Sequence, residues 1–418
     1  MTPSPPDRQA ALRSTVIVVS YQPGRWLEPC LASVRSQADQ VLLVDNGSES
    51  ATVSRVGEAT GVTVVRNNAN LGFTGGVNAA LPRAAGDLVA LLNDDAVAGP
   101  SWLESAADVL EDPRVAAVGP KILFDGLYAQ IDLPDEPYRA AGFERRIGRL
   151  LETVEVDGVD VLARVVGGLY EMERSVTQLG RRWRWTNGAD PIHVPVPHDH
   201  TRVAINGDEV VPTRHGRVIN NAGSCLTAAG DGGDIGCEAA DDGRFDDPAE
   251  RFAVTGAAMV ARRQVFERLG GMDPDFFAYY EDLDWCWRAR QQGLTLRYDP
   301  RTVVEHRRWA TTEQAPVDQM TLIATRNRVL CLVNNAPLPA ARAELERVVR
   351  HPPHPMLRRS LARHLPGAIR KRRARMADAV AGAGTIWAAW AGRDTTWGLA
   401  SQRRDQATGP EGPTSLPA

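Results

Sequence analysis

The sequence predicts an α/β fold in which helices flank a mainly parallel sheet. Short apolar runs that suit buried strands alternate with segments whose apolar residues recur at helical spacing. The connections between them are short, which favours parallel strands joined by right-handed crossovers. Several of these strands end in polar or acidic residues, and open α/β sheets bind their ligands beyond the carboxyl ends of the strands. A ligand site at that edge is therefore expected.

The amino-terminal part of the chain supplies the strands of this sheet. The predicted strands are residues 15–20, 41–44, 62–65 and 88–92. A helix is predicted from Arg25 to Ser36, and a Gly-rich turn at 70–76, for which the start of a helix is the alternative, precedes a helix from Val77 to Ala85. Pro82 is expected to kink or shorten that helix, because proline lacks a backbone N–H.

The strand at 88–92 ends directly at Asn93, Asp94 and Asp95. Mg²⁺ and Mn²⁺ prefer carboxylate oxygens and often share them with the phosphates of a substrate, so a metal–diphosphate site is expected here. A helix cap is the alternative for these three residues. The strand at 41–44 likewise ends at Asp45, for which an ordinary turn is the alternative.

The composition is that of an ordinary globular protein. The chain has 418 residues, a formal charge of -4 and 43% hydrophobic residues, which excludes a disordered or generally nucleic-acid-binding protein. Its five cysteines are scattered without a C-x-x-C pair, so reduced, buried thiols are expected.

The polar amino end resembles no secretory signal, and no apolar run approaches the roughly 20 residues of a membrane span. A cytoplasmic protein is therefore predicted.

Six motifs together resemble the family-2 glycosyltransferases of the GT-A fold, in particular their rhamnosyltransferase-like members. They are Val-Val-Ser-Tyr at 18–21, Val-Asp-Asn-Gly-Ser at 44–48, Asn-Leu-Gly-Phe-Thr-Gly-Gly-Val-Asn at 70–78, Leu-Leu-Asn-Asp-Asp at 91–95, and the segments 252–263 and 270–288. The resemblance covers residue 15 to about 121 and residue 218 to about 309. It implies a Rossmann-like GT-A sheet interrupted by an insertion.

The resemblance assigns roles to the residues at the strand ends. Asp45 is expected to hold the base or ribose of a donor nucleotide, and Asp95 to be the principal metal ligand. Asn93 and Asp94 are expected near the ribose and diphosphate. The family frequently has an aspartate at the position of Asn93, and often an acidic residue or proline at that of Asp94, so this chain departs from the pattern at Asn93.

Further donor-binding residues are expected in the Gly-rich segment and in the carboxyl-terminal half. Asn70, Gly72, Gly75 and Asn78 are predicted to contact the donor, because backbone N–H groups at a helix start suit an anion. Gly256 is expected to let the backbone approach the donor sugar.

Glu281, Asp282 and Asp284 crowd three carboxylates into a predicted helix start. The helix dipole favours their ionised forms, while their mutual repulsion opposes ionisation. The second acid of the Glu-Asp pair resembles the general base of the family, which assigns that role to Asp282. The alternative is that these acids only cap the helix and that Asp284 pairs with Arg288 at i,i+4.

His306 follows another predicted strand. In the resembling family a histidine at this point can complete the metal shell with the equivalent of Asp95, so His306 is a predicted metal ligand, with a structural histidine as the alternative.

Two regions lie outside the resemblance. Residues 122–217 alternate at strand period and are predicted to form an inserted β-sandwich-like module of about 90 residues, a common domain size. Its histidines are interpreted as exposed loop residues rather than metal ligands, because no cysteine accompanies them; they are His193, His198, His200 and His215.

After about residue 314 the chain becomes helical and carries a basic, Trp-containing stretch that either contacts an anionic membrane or forms a solvated face.

The predicted divisions follow from these segments. They are a nucleotide-sugar-binding half at 14–121, the inserted module at 122–217, an acceptor and catalytic half at 218–314, a helical region at 315–392 that is a candidate for membrane association, and a disordered tail at 393–418.

The predicted protein is an inverting glycosyltransferase that requires Mg²⁺ or Mn²⁺. It is expected to transfer a sugar, with rhamnosyl as a candidate, from a nucleotide-diphosphate sugar to a hydroxyl of a cell-surface glycan or lipid-linked acceptor. Peripheral contact with the inner face of the cell membrane is expected, and no nucleic-acid partner. The alternatives are a sugar-nucleotide nucleotidyltransferase and a non-catalytic glycan-binding protein, and the acids Asp45, Asp95 and Asp282 argue against the latter.

Overall fold

The computed structural model describes residues 12–49, 51–133, 148–169, 183–307 and 317–394. The chain divides into two units. The first comprises Met1–Lys121 and Asp247–Trp390, and the second comprises Ile122–Asp246 and Ala391–Ala418. The predicted amino end and tail lie largely outside the described residues.

The chain up to Phe124 alternates strands and helices as the sequence predicts. The strands are β1 (Ser14–Ser20), β2 (Gln40–Asp45), β3 (Thr63–Arg66), β4 (Leu88–Asn93), β5 (Ala96–Ala98) and β6 (Val115–Phe124). The helices are α1 (Leu27–Arg35), α2 (Thr52–Thr60), α3 (Gly72–Ala80) and α4 (Trp102–Val109). The four predicted strands are confirmed, each within two residues of its predicted ends.

The Gly-rich segment departs from the prediction of a turn. Its glycines form the first part of α3, which begins at Gly72, so the alternative of a helix start is the one observed. The helix ends at Ala80, and Pro82 lies in the short 3₁₀ helix Leu81–Arg83 that follows, as expected of a residue that cannot continue the α-helical hydrogen-bond pattern.

The main sheet of the first unit confirms the predicted α/β class. Its strands follow the order β19 (Ala249–Glu250), β21 (Thr295–His306), β6, β20 (Ala258–Arg262), β4, β1, β2 and β3, with β5 paired to β21 and β16 (Ile219–Asn221) paired to β6. The strands from β4 to β3 are parallel, whereas β20 runs antiparallel to β4 and β6. The residues 88–92 of β4 are at most 1% exposed, because the strand lies in the middle of the sheet.

The second unit is rich in short strands. They are β7 (Leu127–Ile131), β8 (Leu150–Leu151), β9 (Val154–Val156), β10 (Val159–Asp160), β11 (Arg184–Trp185), β12 (Ile192–Val196), β13 (Val203–Ile205), β14 (Asp208–Val210), β15 (Arg214–Gly216), β16 (Ile219–Asn221), β17 (Ser224–Leu226) and β18 (Gly232–Asp234). Small sheets of two to four strands form, in the orders β10-β9-β13-β14, β11-β8, β12-β7-β15 and β17-β18. An apolar core that includes Leu151, Val194 and Ile205 holds several of them together.

The β-rich character of the insertion is therefore as predicted, but the unit ends later than residue 217. The segment that follows β16 hydrogen-bonds back to it, since Ile219 N donates to Ala239 O over 2.8 Å. Strands β17 and β18 also pair with each other. These contacts place the boundary at Asp246 and move residues 218–246 from the predicted acceptor half into the second unit.

The chain then returns to the first unit. Its elements are β19 (Ala249–Glu250), β20 (Ala258–Arg262), α5 (Arg263–Arg268), α6 (Glu281–Gln291), β21 (Thr295–His306), α7 (Val317–Asn335), α8 (Leu338–Arg350), α9 (Leu357–Ala377) and α10 (Ala383–Trp390). The predicted helical region is confirmed, and it groups with the first unit instead of forming a separate part. Within the described residues, none of the helices is both long enough and apolar enough to cross a membrane.

The two tryptophans of α10 pack against the first unit. Trp390 is 7% exposed and lies under the guanidinium of Arg290, 3.9 Å from the ring centroid. Trp387 stacks on Trp287 with a centroid distance of 6.3 Å. These rings therefore contribute to the packing of the unit, and the sequence-based suggestion that they lie on a membrane is wrong for Trp390, which is buried.

Candidate active site

Polar side chains meet at the carboxyl ends of β1, β2 and β4. The register places Ser20 opposite Asp45, and Val19 opposite Asn93. Because parallel strands end at one edge of the sheet, the residues that follow these strands are brought together there. The edge predicted from the strand ends is therefore assembled as expected.

Asp95 and His306 face each other at this edge. The imidazole Nε2 of His306 lies 3.2 Å from Asp95 Oδ1 and 3.2 Å from Asn93 Nδ2. The pairing of β21 with β5 brings His306 close to Asp95, because His306 is opposite Ala96, the residue after Asp95. The backbone N–H of Arg307 also donates to the Asp95 carbonyl over 3.0 Å.

This pair fits a divalent cation. A carboxylate oxygen and an imidazole nitrogen are both metal ligands, and their separation allows both to bind one ion. Among the described residues, no group of three histidine, cysteine, aspartate or glutamate side chains forms a metal cage. Asp95 and His306 would therefore leave positions for phosphate oxygens and water, as is usual for Mg²⁺ in nucleotide sites.

Asp94 points away from this pair toward β1. Its Oδ2 accepts a hydrogen bond from Ser20 Oγ over 2.6 Å. Burial raises the pKa of Asp94 to about 7, and the charge of Asp95 adds to the rise while the Ser20 hydrogen bond opposes it. Two adjacent carboxylates at one strand end are costly to ionise together, and an incoming cation offsets that repulsion.

Asp45 ends β2 with its carboxylate turned to the loop that follows. Its Oδ1 accepts a hydrogen bond from Ser48 N over 3.0 Å, and the residue is 8% exposed. This buried carboxylate lies at the same strand edge as Asp94, and the donor-nucleotide role predicted for it stays a prediction.

Asn46 organises the loops around Asp45, a role that the sequence did not reveal. Its Nδ2 donates to Asn70 Oδ1 and to Gly72 O over 3.1 and 3.0 Å, and its Oδ1 accepts from Asn67 Nδ2 and Leu71 N. The Asp-Asn-Gly-Ser motif contained this residue, but turn chemistry explained it equally well. Asn70, predicted to bind the donor, also accepts from Gly72 N over 2.9 Å.

Two predicted donor-binding residues contact the segment that leads to α6. Gly72 has a φ of +72°, and a Cβ there would lie 2.3 Å from Phe277 O. Asn78 donates from Nδ2 to Met272 O over 2.7 Å and accepts from Met272 N over 2.9 Å. Both residues therefore fix the segment before α6 against α3, and their donor contacts stay predictions.

Gly75 lies inside α3, where close packing explains the absence of a side chain. A Cβ at this position would lie 2.4 Å from Leu71 Cβ.

Asp282 lies in the first turn of α6 and accepts a hydrogen bond from Gly256 N at Oδ2 over 2.9 Å. A Cβ on Gly256 would lie 3.2 Å from Phe73 and 3.6 Å from Asp282 Cβ, so this position is tight. The next residue, Ala257, accepts from Asn93 N over 2.9 Å. The backbone at 256–257 thus connects the predicted base to the end of the strand that leads to the predicted metal ligand.

Glu281 is buried beside Asp282. The residue is 7% exposed, and its Oε2 has no hydrogen-bond partner among the described residues. Burial raises the pKa of Glu281 to about 8, and the neighbouring charges of Asp282 and Asp284 add to the rise. Glu281 is therefore largely protonated at neutral pH.

Asp284 is fully buried and pairs with two arginines. Arg288 Nε lies 2.8 Å from Oδ2, which confirms the predicted i,i+4 pair, and Arg375 Nη1 lies 2.7 Å from Oδ1. Asn335 Nδ2 donates to Oδ1 as well, over 2.8 Å. Burial alone would raise the pKa of Asp284, but the charges of Arg375 and Arg288 outweigh it and hold the pKa well below its usual range.

The segment before α6 is held by the carboxyl-terminal helices. Arg375 also pairs with Asp273 over 2.9 Å, and Lys371 pairs with Asp273 and Asp275 over 2.5 and 2.7 Å. Asn327 Nδ2 lies 2.7 to 2.8 Å from the carbonyl oxygens of residues 276, 278 and 279. The basic run contained these cations, but no local pattern in the sequence indicated their acidic partners.

This restrained segment contains strained backbone. Phe277, Tyr279 and Tyr280 have φ values of +66°, +69° and +72°, a left-handed conformation that is costly for aromatic residues. Such strain persists only where surrounding contacts enforce it, and it commonly marks functional sites.

Comparison with known proteins gives a match to a family model over part of the chain and several distant relatives. Residues 15–163 match the family model described as "Glycosyl transferase family 2". The chain is 28% identical over 154 residues to a glucosyl-dolichyl phosphate glucuronosyltransferase of Haloferax volcanii, covering 34% of this chain and 49% of that protein. It is 25% identical over 321 residues to an N-acetylglucosaminyl-diphospho-decaprenol L-rhamnosyltransferase of Mycobacterium tuberculosis, covering 73% of this chain and 79% of that protein.

Solved structures show more remote likeness. One is GalNAc-T7 with UDP, GalNAc and Mn²⁺, with a TM-score of 0.46 and 13% identity, covering 86% of this chain and 58% of that one. Another is the mannosyltransferase PcManGT from Pyrobaculum calidifontis in complex with GDP-Man and Mn²⁺, with a TM-score of 0.39 and 16% identity, covering 90% of this chain and 79% of that one.

Proposed function

We propose that the chain transfers a sugar from a nucleotide-diphosphate donor to an acceptor hydroxyl, with inversion at the anomeric carbon, and the match of residues 15–163 to the family-2 glycosyltransferase model supports this proposal. One observation carries the proposal. Gly256 N donates to the predicted base Asp282, and Ala257 O accepts from Asn93 N at the end of the strand that leads to Asp95. Two consecutive residues thus connect the proposed base to the end of the strand that leads to the proposed metal ligand.

The residues divide the reaction between them. Asp282 would take the proton of the acceptor hydroxyl as that oxygen attacks the anomeric carbon and the bond to the diphosphate breaks. Asp95 and His306 would hold Mg²⁺ or Mn²⁺, which when bound neutralises the charge of the leaving diphosphate. Asp45 would fix the donor nucleotide, and Asp94 would lie near the ribose or diphosphate.

The name of one relative supports a proposal for the donor and acceptor classes. The mycobacterial relative is named for rhamnosyl transfer to a lipid-linked diphosphate sugar, and the match covers 79% of its length. We therefore propose a rhamnosyl donor and a lipid-linked or cell-surface glycan acceptor.

Peripheral contact with a membrane is proposed for one face of α9. Four exposed arginines recur at spacings of four, seven and three residues and thus lie on one side of the helix; they are Arg359, Arg363, Arg370 and Arg373. Lys371 and Arg375 lie on the opposite side and pair with buried acids. A cationic helix face suits an anionic lipid surface, at about 1 kcal/mol per arginine near the membrane.

Vesicle sedimentation tests this face. The protein is expected to sediment with vesicles rich in phosphatidylglycerol but not with phosphatidylcholine vesicles, and less at high salt. Arg363→Glu with Arg370→Glu should reduce sedimentation, whereas Arg342→Glu, on the exposed surface of α8, should not. Equal sedimentation of both variants would refute a role for this face.

Donor screening tests the activity itself. Purified protein is mixed with nucleotide-diphosphate sugars and a polyprenyl-diphosphate sugar acceptor, with and without Mn²⁺, and the anomeric configuration of the product is read by NMR. Inverted product with release of nucleoside diphosphate would support the proposal. Pyrophosphate release from a nucleoside triphosphate would instead indicate a nucleotidyltransferase, and metal-independent sugar binding without turnover would indicate a glycan-binding protein.

A further inference from the structure

Two histidines of the second unit meet at its surface, although 15 residues separate them in sequence. His200 lies in the loop after β12, and His215 is the middle residue of β15. Both strands pair with β7, and Ala129 of β7 is opposite both Val194 and His215. Strands β12 and β15 thus lie on either side of β7, and the loop after β12 brings His200 to His215.

The two imidazole rings approach each other through their Nε2 atoms. His200 Nε2 lies 3.1 Å from His215 Nε2, the ring centroids are 4.9 Å apart, and the ring planes are inclined by 50°. An ion at the usual zinc–imidazole distance of about 2.0–2.1 Å from both nitrogens would subtend an angle of roughly 95–100°, between square-planar and tetrahedral values. The separation of the two nitrogens therefore suits two ligands of one ion.

A backbone carbonyl orients the first ring. His200 Nδ1 lies 3.0 Å from Pro197 O, and since a carbonyl only accepts, Nδ1 must carry the proton. In the neutral ring Nε2 then has a lone pair, which accepts the Nε2–H of a neutral His215 when no metal ion is bound. A histidine that donates its other N–H to a carbonyl is the usual arrangement of a metal ligand.

The loop that carries His200 is anchored on its other side. Asp157 accepts hydrogen bonds at Oδ1 from Thr201 N, Thr201 Oγ1 and Arg202 N over 3.0, 2.8 and 2.9 Å. These bonds hold the residues directly after His200, and the Pro197 contact holds the ring itself. The site is therefore formed in advance, which lowers the ordering cost of binding an ion.

We propose that His200 and His215 bind one divalent transition-metal ion of the zinc, nickel or copper type. Imidazole ligands favour these ions over Mg²⁺ and Mn²⁺, whose oxygen preference matches the Asp95 site instead. Among the described residues no third histidine, cysteine, aspartate or glutamate completes the group, so water or an external ligand fills the remaining positions. The bound ion links the loop after β12 to β15 across the small sheet.

Metal titration of the full-length protein tests the site. Chelator-treated protein is loaded with Cu²⁺ or Zn²⁺, the bound metal is counted by mass spectrometry, and the copper spectrum is recorded by electron paramagnetic resonance. The unaltered protein should show copper bound by two imidazole nitrogens. His200→Gln and His215→Gln should each lose one equivalent of metal and this spectrum.

His198→Gln is the matched control, because His198 is an exposed histidine of the same loop. It should bind as much metal as the unaltered protein and give the same spectrum. Melting of the metal-free variants should be unchanged, and zinc should raise the melting temperature of the unaltered protein and His198→Gln only. The proposal is overturned if the double variant of His200 and His215 keeps full stoichiometry, or if copper in the unaltered protein shows no pair of nitrogen ligands.

Discussion

Arg375 Nη1 donates to Asp284 Oδ1 over 2.7 Å, although the two residues are 91 positions apart in sequence. Asp284 is fully buried, and the Arg375 side chain is 14% exposed. The pair fixes α9 to the helix that begins at Glu281 and carries Asp282. The carboxyl-terminal region is therefore part of the framework that positions the candidate base.

Removal of Arg375 should destabilise the first unit. Arg375→Ala leaves the buried carboxylates of Asp284 and Asp273 short of a cation, and breaking such a pair typically lowers the free energy of unfolding by about 3–5 kcal/mol. The exposed neighbour Arg373 is the matched control, and Arg373→Ala should change the free energy by less than about 0.5 kcal/mol. Urea denaturation gives the free energy of unfolding of each variant. Equal losses in the two variants would show that the buried contacts of Arg375 do not stabilise the first unit.

Gly72→Ala should disturb the segment before α6 through a steric clash. A Cβ there would lie 2.3 Å from Phe277 O, whereas Gly61, with a similar φ of +66°, has open space around it. Gly61→Ala should cost about 1–2 kcal/mol from the left-handed backbone alone, and Gly72→Ala should cost clearly more and reduce transfer activity. Thermal melting and activity assays compare them, and identical losses would exclude the clash as a cause.

Glu281→Gln should change how stability depends on pH. The folded pKa of about 8 exceeds the ordinary value of 4.5, so the unfolded chain releases this proton first as the pH rises. The stabilising contribution of protonated Glu281 is complete below about pH 4.5 and is lost by about pH 8, with a slope of at most about 1.4 kcal/mol per pH unit.

The amide that replaces the Glu281 carboxyl group in this variant cannot titrate. As the pH rises from about 5 to about 8, the unaltered protein should therefore lose stability relative to Glu281→Gln. Urea denaturation across this range gives the difference, and a constant value would mean that Glu281 titrates as it does in the unfolded chain.

Asp282→Asn should abolish transfer while leaving donor binding intact. General-base catalysis commonly contributes about 10²–10⁴-fold, and an amide cannot accept the acceptor proton. kcat should fall by that factor with an unchanged dissociation constant for the donor. Asp112→Asn, at a surface ion pair with Arg114, is the control, and near-normal turnover by Asp282→Asn in a folded state would assign the base elsewhere.

Metal removal should stop transfer, and Mn²⁺ should restore it. Asp95→Asn and His306→Gln should each weaken Mn²⁺ binding and raise the Mn²⁺ concentration needed for half-maximal rate, by about 10-fold or more, because each removes one of two protein ligands. His351→Gln, on the exposed end of α8, should behave as the unaltered protein. Full activity in the presence of a chelator would contradict the assigned metal site.

The sequence by itself determined the strands of the amino-terminal half and the polar residues at their ends. Apolar runs identified β1 to β4 because buried parallel strands need continuous apolar residues, and the acids after them followed from the same boundaries. The i,i+4 pair of Asp284 and Arg288 was also accessible, since helix geometry alone brings those positions together.

Only the tertiary structure decided which distant residues meet. The partners of Arg375, the backbone clamp of Asn78 on Met272 and the approach of His200 to His215 all join residues whose sequence separation carries no periodic signal. The limit of the second unit at Asp246 likewise depends on hydrogen bonds back to β16. Local periodicity determines which way a side chain faces within its own element, whereas its partners depend on how those elements pack.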